Sequence, residues 1–436
     1  MRLFIPCLAC GWDSFGRVPR GLENYWVMEL YRQDMFDNCR SNYAVRWPIL
    51  KVLRRNPHLL KVRPALSLFF LKYMRKFRAQ KVGPNIILHS HLPPLNSAAY
   101  SRFIREQLIE RLDGPTHAQV GLTNACPQRC VYCYNKDRKG VPLGTAEILA
   151  VVRDLKALGV FWMGWTGGEP LLNKDIVRIT EEAAEACAVK LFTTGATLSP
   201  GTARDLKNAG LFSVSVSLDH WMEEVHDANR RVPGAFATAL RAIDIFRNVD
   251  GLHVGVSAVL SRDMIRQGQA AEFLAFLEGL GVHEAWLSEV KPSVQAFWND
   301  DNVINEEDRL SLVRLQDRYN KRKSMTVNYL GHFEGREQFG CNAGHKMVYV
   351  DAFGEVSPCV FTPMTLGNIR ERPLTEIVRD MMARFPSEGS CFINKNYKMF
   401  QAGSGGMIPV PRDASLKLLE NVKFGSPADF FKLYNS

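Results

Sequence analysis

Apolar and polar positions follow a repeating order between about residue 118 and residue 290. Six short apolar runs have the length of buried strands, and helix-like stretches separate them. The strand-like runs are 118–123, 160–166, 189–194, 211–218, 252–260 and 283–290. The helix-like stretches are 145–158, 175–187, 202–208, 236–247 and 267–280. Strands that alternate with helices in this way predict an α/β fold with a parallel sheet, either open or closed.

The chain before this repeat has a different pattern. Residues 46–81 combine apolar positions with Lys and Arg and predict basic helices. In the stretch 65–78 the cations gather at the C-terminal end, where they favour a helix through its dipole. Two interpretations fit that stretch: a helix packed on the main domain with a solvated basic rim, or a helix lying in a membrane interface. Gly–Pro and Pro–Pro pairs between 82 and 117 predict turns.

Charge is unevenly distributed along the chain. The formal net charge is +10, but residues 38–105 hold fourteen Lys and Arg and no Asp or Glu, which leaves the rest at −4 (10 − 14). Such a block indicates an anionic partner, such as an acidic peptide or a membrane surface, or else a solvated basic face. No nucleic-acid-reading motif accompanies these cations, so specific nucleic-acid binding is not expected.

Size and composition restrict the class of protein. A chain of 436 residues with 46% hydrophobic and 23% charged residues can hold two or three domains and a large core. It contains no run of about 18 apolar residues, and its first residues are too quickly polar for a signal peptide. Ten cysteines, three of them in a metal-type motif, suit a reducing compartment. We therefore expect a cytoplasmic protein, with a peripheral position at the membrane left open by the basic block.

Three cysteines follow the first strand-like run. Cys126, Cys130 and Cys133 have C-x3-C-x2-C spacing, from which the thiolates of one loop can converge on a soft metal centre. Three thiolates hold three irons of a four-iron cluster and leave the fourth iron open to an outside ligand. A structural zinc site would show four ligands, and a disulfide framework would show an even set in a secreted chain. The spacing favours an iron–sulfur loop over both alternatives.

This loop, with Tyr132 before its last cysteine, resembles that of the radical SAM superfamily. The segment Thr166-Gly-Gly-Glu-Pro170, at the end of the second strand-like run, strengthens the resemblance. The resemblance implies a partial (β/α)6 barrel whose chemistry lies at the C-terminal ends of the strands. It also implies a [4Fe–4S] cluster that binds S-adenosylmethionine, reductive cleavage to a 5′-deoxyadenosyl radical, and a reductant such as flavodoxin or ferredoxin.

Other segments match family positions that contact S-adenosylmethionine. Ser217 matches the serine of a Ser-Leu-Asp segment, and Thr194 stands where the family's Thr-Asn-Gly turn has Asn. Arg230 matches an arginine that faces the methionine carboxylate, with Arg231 beside it as the alternative. The resemblance thus implies seven cofactor-binding residues: Tyr132, Gly167, Gly168, Glu169, Thr194, Ser217 and Arg230. Each segment also has a purely structural alternative. The Gly-Gly-Glu segment could be a turn without a ligand, the Ser-Leu-Asp segment could be a strand end that caps a helix, and Arg230 could form a surface salt bridge.

A second cysteine set lies in the C-terminal third. Residues 341–359 predict a hairpin with a turn at Asp351-Ala-Phe-Gly354 and a cysteine at each end. This pattern resembles the start of the SPASM/twitch extension of radical SAM enzymes. A full SPASM domain continues with several close cysteines, whereas only Cys391 follows here. The resemblance therefore implies the shorter, twitch-like β-hairpin/helix form and one auxiliary iron–sulfur cluster. Its three implied ligands are Cys341, Cys359 and Cys391.

The remaining cysteines carry weaker signals. Cys7 and Cys10 form a C-x2-C pair that could supply the missing fourth ligand, although packing is the simpler explanation. Cys39 and Cys187 are interpreted as structural. Three strand-end residues, Asp219, His226 and Glu289, are candidates for a general base, and none of them is favoured.

These observations define a domain plan and a function. We expect a basic helical N-terminal region at 1–110, a catalytic barrel at 111–300, an auxiliary-cluster domain at 325–400 and a tail at 401–436. The expected enzyme cleaves S-adenosylmethionine reductively and abstracts hydrogen from a peptide or a small biosynthetic intermediate. One alternative is a radical SAM enzyme that acts on a lipid at the membrane surface. The other alternative is a non-catalytic iron–sulfur scaffold or electron carrier. The intact Gly-Gly-Glu-Pro segment argues against it, because an electron carrier needs no site for S-adenosylmethionine.

Overall fold

The structure, a computed structural model, describes residues 56–322 and 325–436. The predictions for Cys7, Cys10, Cys39 and the start of the basic region lie outside these residues. The strands are β1 (Gln80–Val82), β2 (Asn85–Ile87), β3 (His117–Thr123), β4 (Trp162–Gly167), β5 (Ala188–Thr193), β6 (Leu211–Ser217), β7 (His253–Leu260), β8 (Glu284–Glu289), β9 (Thr326–Tyr329), β10 (Met347–Val350) and β11 (Val356–Ser357).

Helices connect and cover these strands. They are α1 (Pro64–Met74), α2 (Ala98–Arg102, continued by a π-helix over Phe103–Ile109), α3 (Thr145–Ala157), α4 (Ile176–Ala184), α5 (Pro200–Asn208), α6 (Glu223–Arg230), α7 (Ala235–Arg247), α8 (Arg262–Arg266), α9 (Ala270–Gly279), α10 (Glu306–Asn320), α11 (Leu330–Phe333), α12 (Leu374–Arg384), α13 (Phe392–Gly403), α14 (Arg412–Glu420) and α15 (Asp429–Asn435).

One large sheet organises the molecule, in the order β11-β10-β3-β4-β5-β6-β7-β8-β9. All neighbours are parallel except β10 and β11, which form an antiparallel hairpin. The six strands β3 to β8 and the five helices predicted between them are present, with ends shifted by a few residues. The hairpin is also confirmed. The pairing of β10 with β3 places the C-terminal hairpin beside the first strand of the six.

The strands are buried because helices cover the sheet. All six residues of β8 are buried, as are all but the last residue of β6. Parallel strands covered on both faces read as continuous apolar runs, which is why they were recognisable in the sequence. The carboxyl ends of β3 to β8 lie at one edge of the sheet, and this edge carries the loops that contain the predicted motifs.

The basic helix α1 packs into a second, aromatic core. Leu66, Tyr73 and Met74 are buried, whereas Leu68 and Leu71 are exposed. The apolar side of α1 contacts the C-terminal helix α15, so that the two ends of the described chain share this core. None of the described helices is both long enough and apolar enough to cross a membrane.

We expect Phe430→Ala to destabilise the protein by about 3–5 kcal/mol, because a buried phenylalanine leaves a cavity when it is truncated. The Phe430 ring lies 5.0 Å from the Phe339 ring and 5.4 Å from the Phe69 ring. Urea unfolding followed by circular dichroism would measure the change. Leu68→Ala, on the exposed side of α1, is the matched control and should cost less than about 0.5 kcal/mol. Equal losses in both variants would contradict the packing described for α15.

Candidate active site

The first cysteine loop begins where β3 ends at Thr123. The Gln128 backbone N–H donates to Cys126 Sγ over 3.4 Å, and the Cys133 N–H donates to the Cys130 carbonyl over 3.3 Å. Cys130 is buried, while Cys126 and Cys133 are half-buried. All three cysteines line one cavity of about 630 Å³. The loop thus presents three thiols to a single space, as predicted.

The electrostatics of the thiols reflects their proximity. Burial, together with smaller contributions from Glu169 and from the neighbouring Cys130 and Cys133 thiols, raises the pKa of Cys126 to about 11. Burial also raises the pKa of Cys130, while the Arg230 guanidinium opposes the shift. Among the described residues, no group of three or more His, Cys, Asp or Glu side chains is arranged to hold a single metal ion. Cysteine thiolates in one cavity are the donor set that iron–sulfur clusters use, and in a [4Fe–4S] cluster each thiolate binds one iron.

The Gly-Gly-Glu turn after β4 packs directly on the cysteine loop. The Gly168 N–H donates to the Thr123 carbonyl over 2.7 Å, and the Glu169 N–H donates to the Ala125 carbonyl over 2.7 Å. Gly167 has φ of 120°, and a Cβ on Gly168 would lie 2.2 Å from the Ala125 carbonyl oxygen. Only glycine fits at both positions. The turn therefore brings exposed backbone to the cavity wall that the cysteine loop also forms.

Glu169 points away from the cavity and joins two strand ends. Its buried carboxylate accepts hydrogen bonds from Thr193 Oγ1 over 2.6 Å, from the Thr194 N–H and Oγ1 over 2.6 Å, and from the Leu171 N–H over 3.0 Å. Burial raises the pKa of this carboxyl, while the threonine hydroxyls oppose the shift. Thr194 and Ser217, which were predicted to contact S-adenosylmethionine, both line the cavity. Glu169 holds Thr194 in place there.

Arg230 ends α6 and reaches the first cysteine loop. It is buried, and its Nε and Nη2 each donate to the Asp219 carboxylate over 2.9 Å. Its Nη1 lies 3.8 Å from Cys130 Sγ. The Tyr132 hydroxyl also donates to Asp219. Arg231 is exposed and has φ of 54°, a left-handed conformation that favours glycine. Arg230, and not Arg231, therefore approaches the cysteine loop.

The second cysteine set lines the same cavity. Cys341 precedes the β10–β11 hairpin, Cys359 follows it, and Cys391 caps α13. The Phe392 N–H donates to Cys341 Sγ over 3.4 Å. Burial, with a smaller contribution from the Cys391 thiol, raises the pKa of Cys359 to about 11. The described chain thus carries both predicted cysteine sets on the wall of one cavity.

Sequence reasoning missed two charged residues in this cavity, Lys291 and Glu334. Lys291 Nζ donates to Cys391 Sγ over 3.3 Å. Lys291 lies two positions after Glu289, which is a strand-end residue. Because alternate residues of a strand point to the same face, this spacing was the only local signal that Lys291 also faces the cavity.

The sequence offered three candidates for a general base: Asp219, His226 and Glu289. Glu289 lines the cavity, whereas the Asp219 N–H donates to His226 Nδ1 beside Arg230. Cys187 is buried, with its Sγ 3.1 Å from the Val160 carbonyl oxygen.

Comparison with known proteins places these sites in a family. Residues 120–262 match the model of the radical SAM superfamily, and residues 341–400 match that of an iron–sulfur cluster-binding domain, SPASM. An AdoMet-dependent heme synthase of Methanosarcina barkeri is 27% identical over 62% of this chain and 84% of its own length. The mycofactocin maturase MftC of Mycolicibacterium smegmatis is 29% identical over 59% of this chain and 67% of its own.

A solved structure shares the fold. Streptococcus suis SuiB, crystallised with its precursor peptide SuiA, superposes with a TM-score of 0.51 at 15% identity, over 65% of this chain and 70% of its own. Its likeness supports the partial-barrel arrangement of β3 to β8. The two family matches contain both cysteine sets, at Cys126–Cys133 and at Cys341–Cys391. The chain is thus similar to the radical SAM superfamily over residues 120–262 and to iron–sulfur cluster-binding domains of the SPASM type over residues 341–400.

Proposed function

We propose that this radical SAM enzyme abstracts hydrogen from a peptide bound in the cavity between its two cysteine sets. The observation that carries the proposal is that Cys126, Cys130, Cys133, Cys341, Cys359 and Cys391 all line one space of about 630 Å³. That volume lies in the range of cavities that bind small ligands and cofactors.

The fit to the cofactors rests on the donor sets. Cys126, Cys130 and Cys133 would hold the catalytic [4Fe–4S] cluster, since they are three thiols of one loop on one cavity wall. When bound, the cluster supplies the electron that cleaves S-adenosylmethionine to methionine and a 5′-deoxyadenosyl radical. The remaining chemistry of this chain is binding, orientation and the exclusion of water.

Several residues would hold S-adenosylmethionine beside that cluster. The backbone of Gly167 and Gly168 lies open to the cavity, and Thr194 and Ser217 also line it. Arg230 keeps its Nη1 on the cavity side, while Asp219 fixes the other two nitrogens. A guanidinium fixed in this way is suited to a carboxylate. Glu169 would act indirectly, through Thr194.

A peptide substrate is favoured by the charge at the cavity. Three of its lining residues, Arg129, Lys136 and Arg231, are exposed cations, and Asp137 is the exposed acid among them. The exposed side of α1 adds Lys72 and Arg75. An acidic peptide would be attracted by both groups. The names of MftC, a maturase, and of SuiB, crystallised with a precursor peptide, agree with this class of substrate.

Anaerobic reconstitution tests the proposal directly. We expect about eight irons per chain, four for each [4Fe–4S] cluster. Dithionite or reduced flavodoxin should then give 5′-deoxyadenosine from S-adenosylmethionine, at a rate that an acidic peptide increases. About four irons per chain, with S-adenosylmethionine still cleaved, would contradict the presence of an auxiliary cluster. Full iron loading without cleavage would favour the scaffold alternative. Flotation with anionic liposomes, unaffected by the acidic peptide, would favour the lipid alternative instead.

A further inference from the structure

A buried lysine contacts the second cysteine set. The Lys291 side chain is 1% exposed, and its Nζ donates to three acceptors: Glu289 Oε1 over 2.7 Å, Glu334 Oε2 over 2.8 Å and Cys391 Sγ over 3.3 Å. An ammonium group has three hydrogens to donate. Every donor of Lys291 is therefore used, and one of them is committed to a cysteine sulfur.

The lysine is held in place from several elements. Glu289, the last residue of β8, also accepts hydrogen bonds from the Tyr329 hydroxyl over 3.0 Å and from Asn394 Nδ2 over 3.1 Å. Tyr329 ends β9. Asn394 lies in the first turn of α13, three residues after Cys391. A buried ammonium is costly unless it is paired and hydrogen-bonded. This network provides both conditions and fixes the distance between the Lys291 charge and the Cys391 sulfur.

We infer that Lys291 sets the reduction potential of the auxiliary cluster held through Cys391. This inference rests on the proposed function and on the auxiliary cluster that Cys341, Cys359 and Cys391 would hold, as the resemblance implies. Reduction adds one electron to the cluster, and a neighbouring cation stabilises the more negative, reduced state. A hydrogen bond to a ligating sulfur acts in the same direction. Glu334 accepts from Lys291 and also contacts Cys391, and its carboxylate opposes the effect.

The test uses full-length protein in which Cys126, Cys130 and Cys133 are replaced by alanine, so that only the auxiliary cluster is loaded. Iron is counted first, and the midpoint potential is then measured by a redox titration followed by electron paramagnetic resonance. In this background, Lys291→Met should shift the reduction equilibrium about tenfold toward the oxidised cluster, which is ~59 mV for one electron. Lys291→Arg, which keeps the charge, should stay near the parent value.

A second variant separates charge from loosened structure. Glu334→Gln removes a negative charge while it keeps an acceptor for Lys291, so the potential should rise. A purely structural disturbance would move both variants in the same direction. Lys398→Met is the control, because it removes an exposed lysine of α13, the helix that Cys391 caps, where Lys398 pairs with Asp300 over 2.9 Å. It should leave the potential unchanged.

The outcomes separate the role of Lys291 from the assignment of the auxiliary-cluster ligands. Iron in the parent background with no opposite shifts in the Lys291→Met and Glu334→Gln variants would overturn the role of Lys291 and leave the auxiliary ligands standing. No iron in that background would contradict the ligand assignment, and the role of Lys291 would fall with it. Opposite shifts, with an unchanged Lys398→Met control, would establish the lysine as a positioning residue that acts through Cys391.

Discussion

Replacing Cys130 with alanine is expected to abolish the formation of 5′-deoxyadenosine while the fold is kept. Cys130 lies at the centre of the first cysteine loop, and its loss leaves two thiols for a site that needs three. Its sulfur makes only long contacts in the described structure, to Gln128 Oε1 and Arg230 Nη1, both over 3.8 Å. Losing these weak contacts costs little stability.

The measurement is product formation under dithionite in anaerobically reconstituted protein, compared with the parent chain. Circular dichroism of the same samples reports the fold. Cys187→Ala is the matched control, since this thiol is also buried but contacts the Val160 carbonyl, away from the cysteine loop. It should keep full cleavage. Cleavage retained in Cys130→Ala would disprove the assignment of the catalytic cluster to this loop.

The parallel core was predictable because its signals are local. Each strand from β3 to β8 is a short apolar run, and helix-like stretches separate the runs. The position of β10 was not predictable, since its pairing with β3 joins segments far apart in sequence, and hairpin patterns specify only the partner β11. The helix α6 was missed because only His226 and Arg230 of its eight residues are buried, which leaves no apolar stripe.

The same difference between local sequence signals and contacts made only in the fold explains which site residues could be predicted. The first cysteine set and the Gly-Gly-Glu turn were recognisable because the spacing of each is fixed within one loop, and Cys341 and Cys359 were recognisable because they flank one hairpin. The choice between Arg230 and Arg231 depended on backbone conformation, since the left-handed φ of Arg231 ends the helix and turns that side chain outward. Glu169 was assigned to the cofactor, whereas in the structure its carboxylate contacts the threonines of the next strand end. The role of Lys291 could not be predicted from the sequence, because this residue contacts Cys391 only when β8 and α13 come together in the fold.

Asp219→Asn is expected to lower the free energy of unfolding by about 3–5 kcal/mol, because it breaks a fully buried ion pair and leaves Arg230 without its counter-charge. The Asp219 carboxylate accepts from two nitrogens of Arg230, from the Tyr132 hydroxyl and from the Val259 N–H. Chemical unfolding of the cluster-free protein, for the parent and the variant alike, would measure the change. Asp300→Asn is the control, since its paired carboxylate is 77% exposed and an exposed ion pair contributes little to stability.

The double variant Asp219→Asn/Arg230→Met decides what causes that loss. If the cost comes from an unpaired buried guanidinium, removing the guanidinium as well should recover part of it, and the double variant should be more stable than Asp219→Asn alone. Both variants should also bind S-adenosylmethionine more weakly, because Arg230 is either misplaced or absent beside Cys130. Losses of stability that simply add would mean that the two residues act independently. The ion pair would then not be what orients Arg230 toward the cysteine loop.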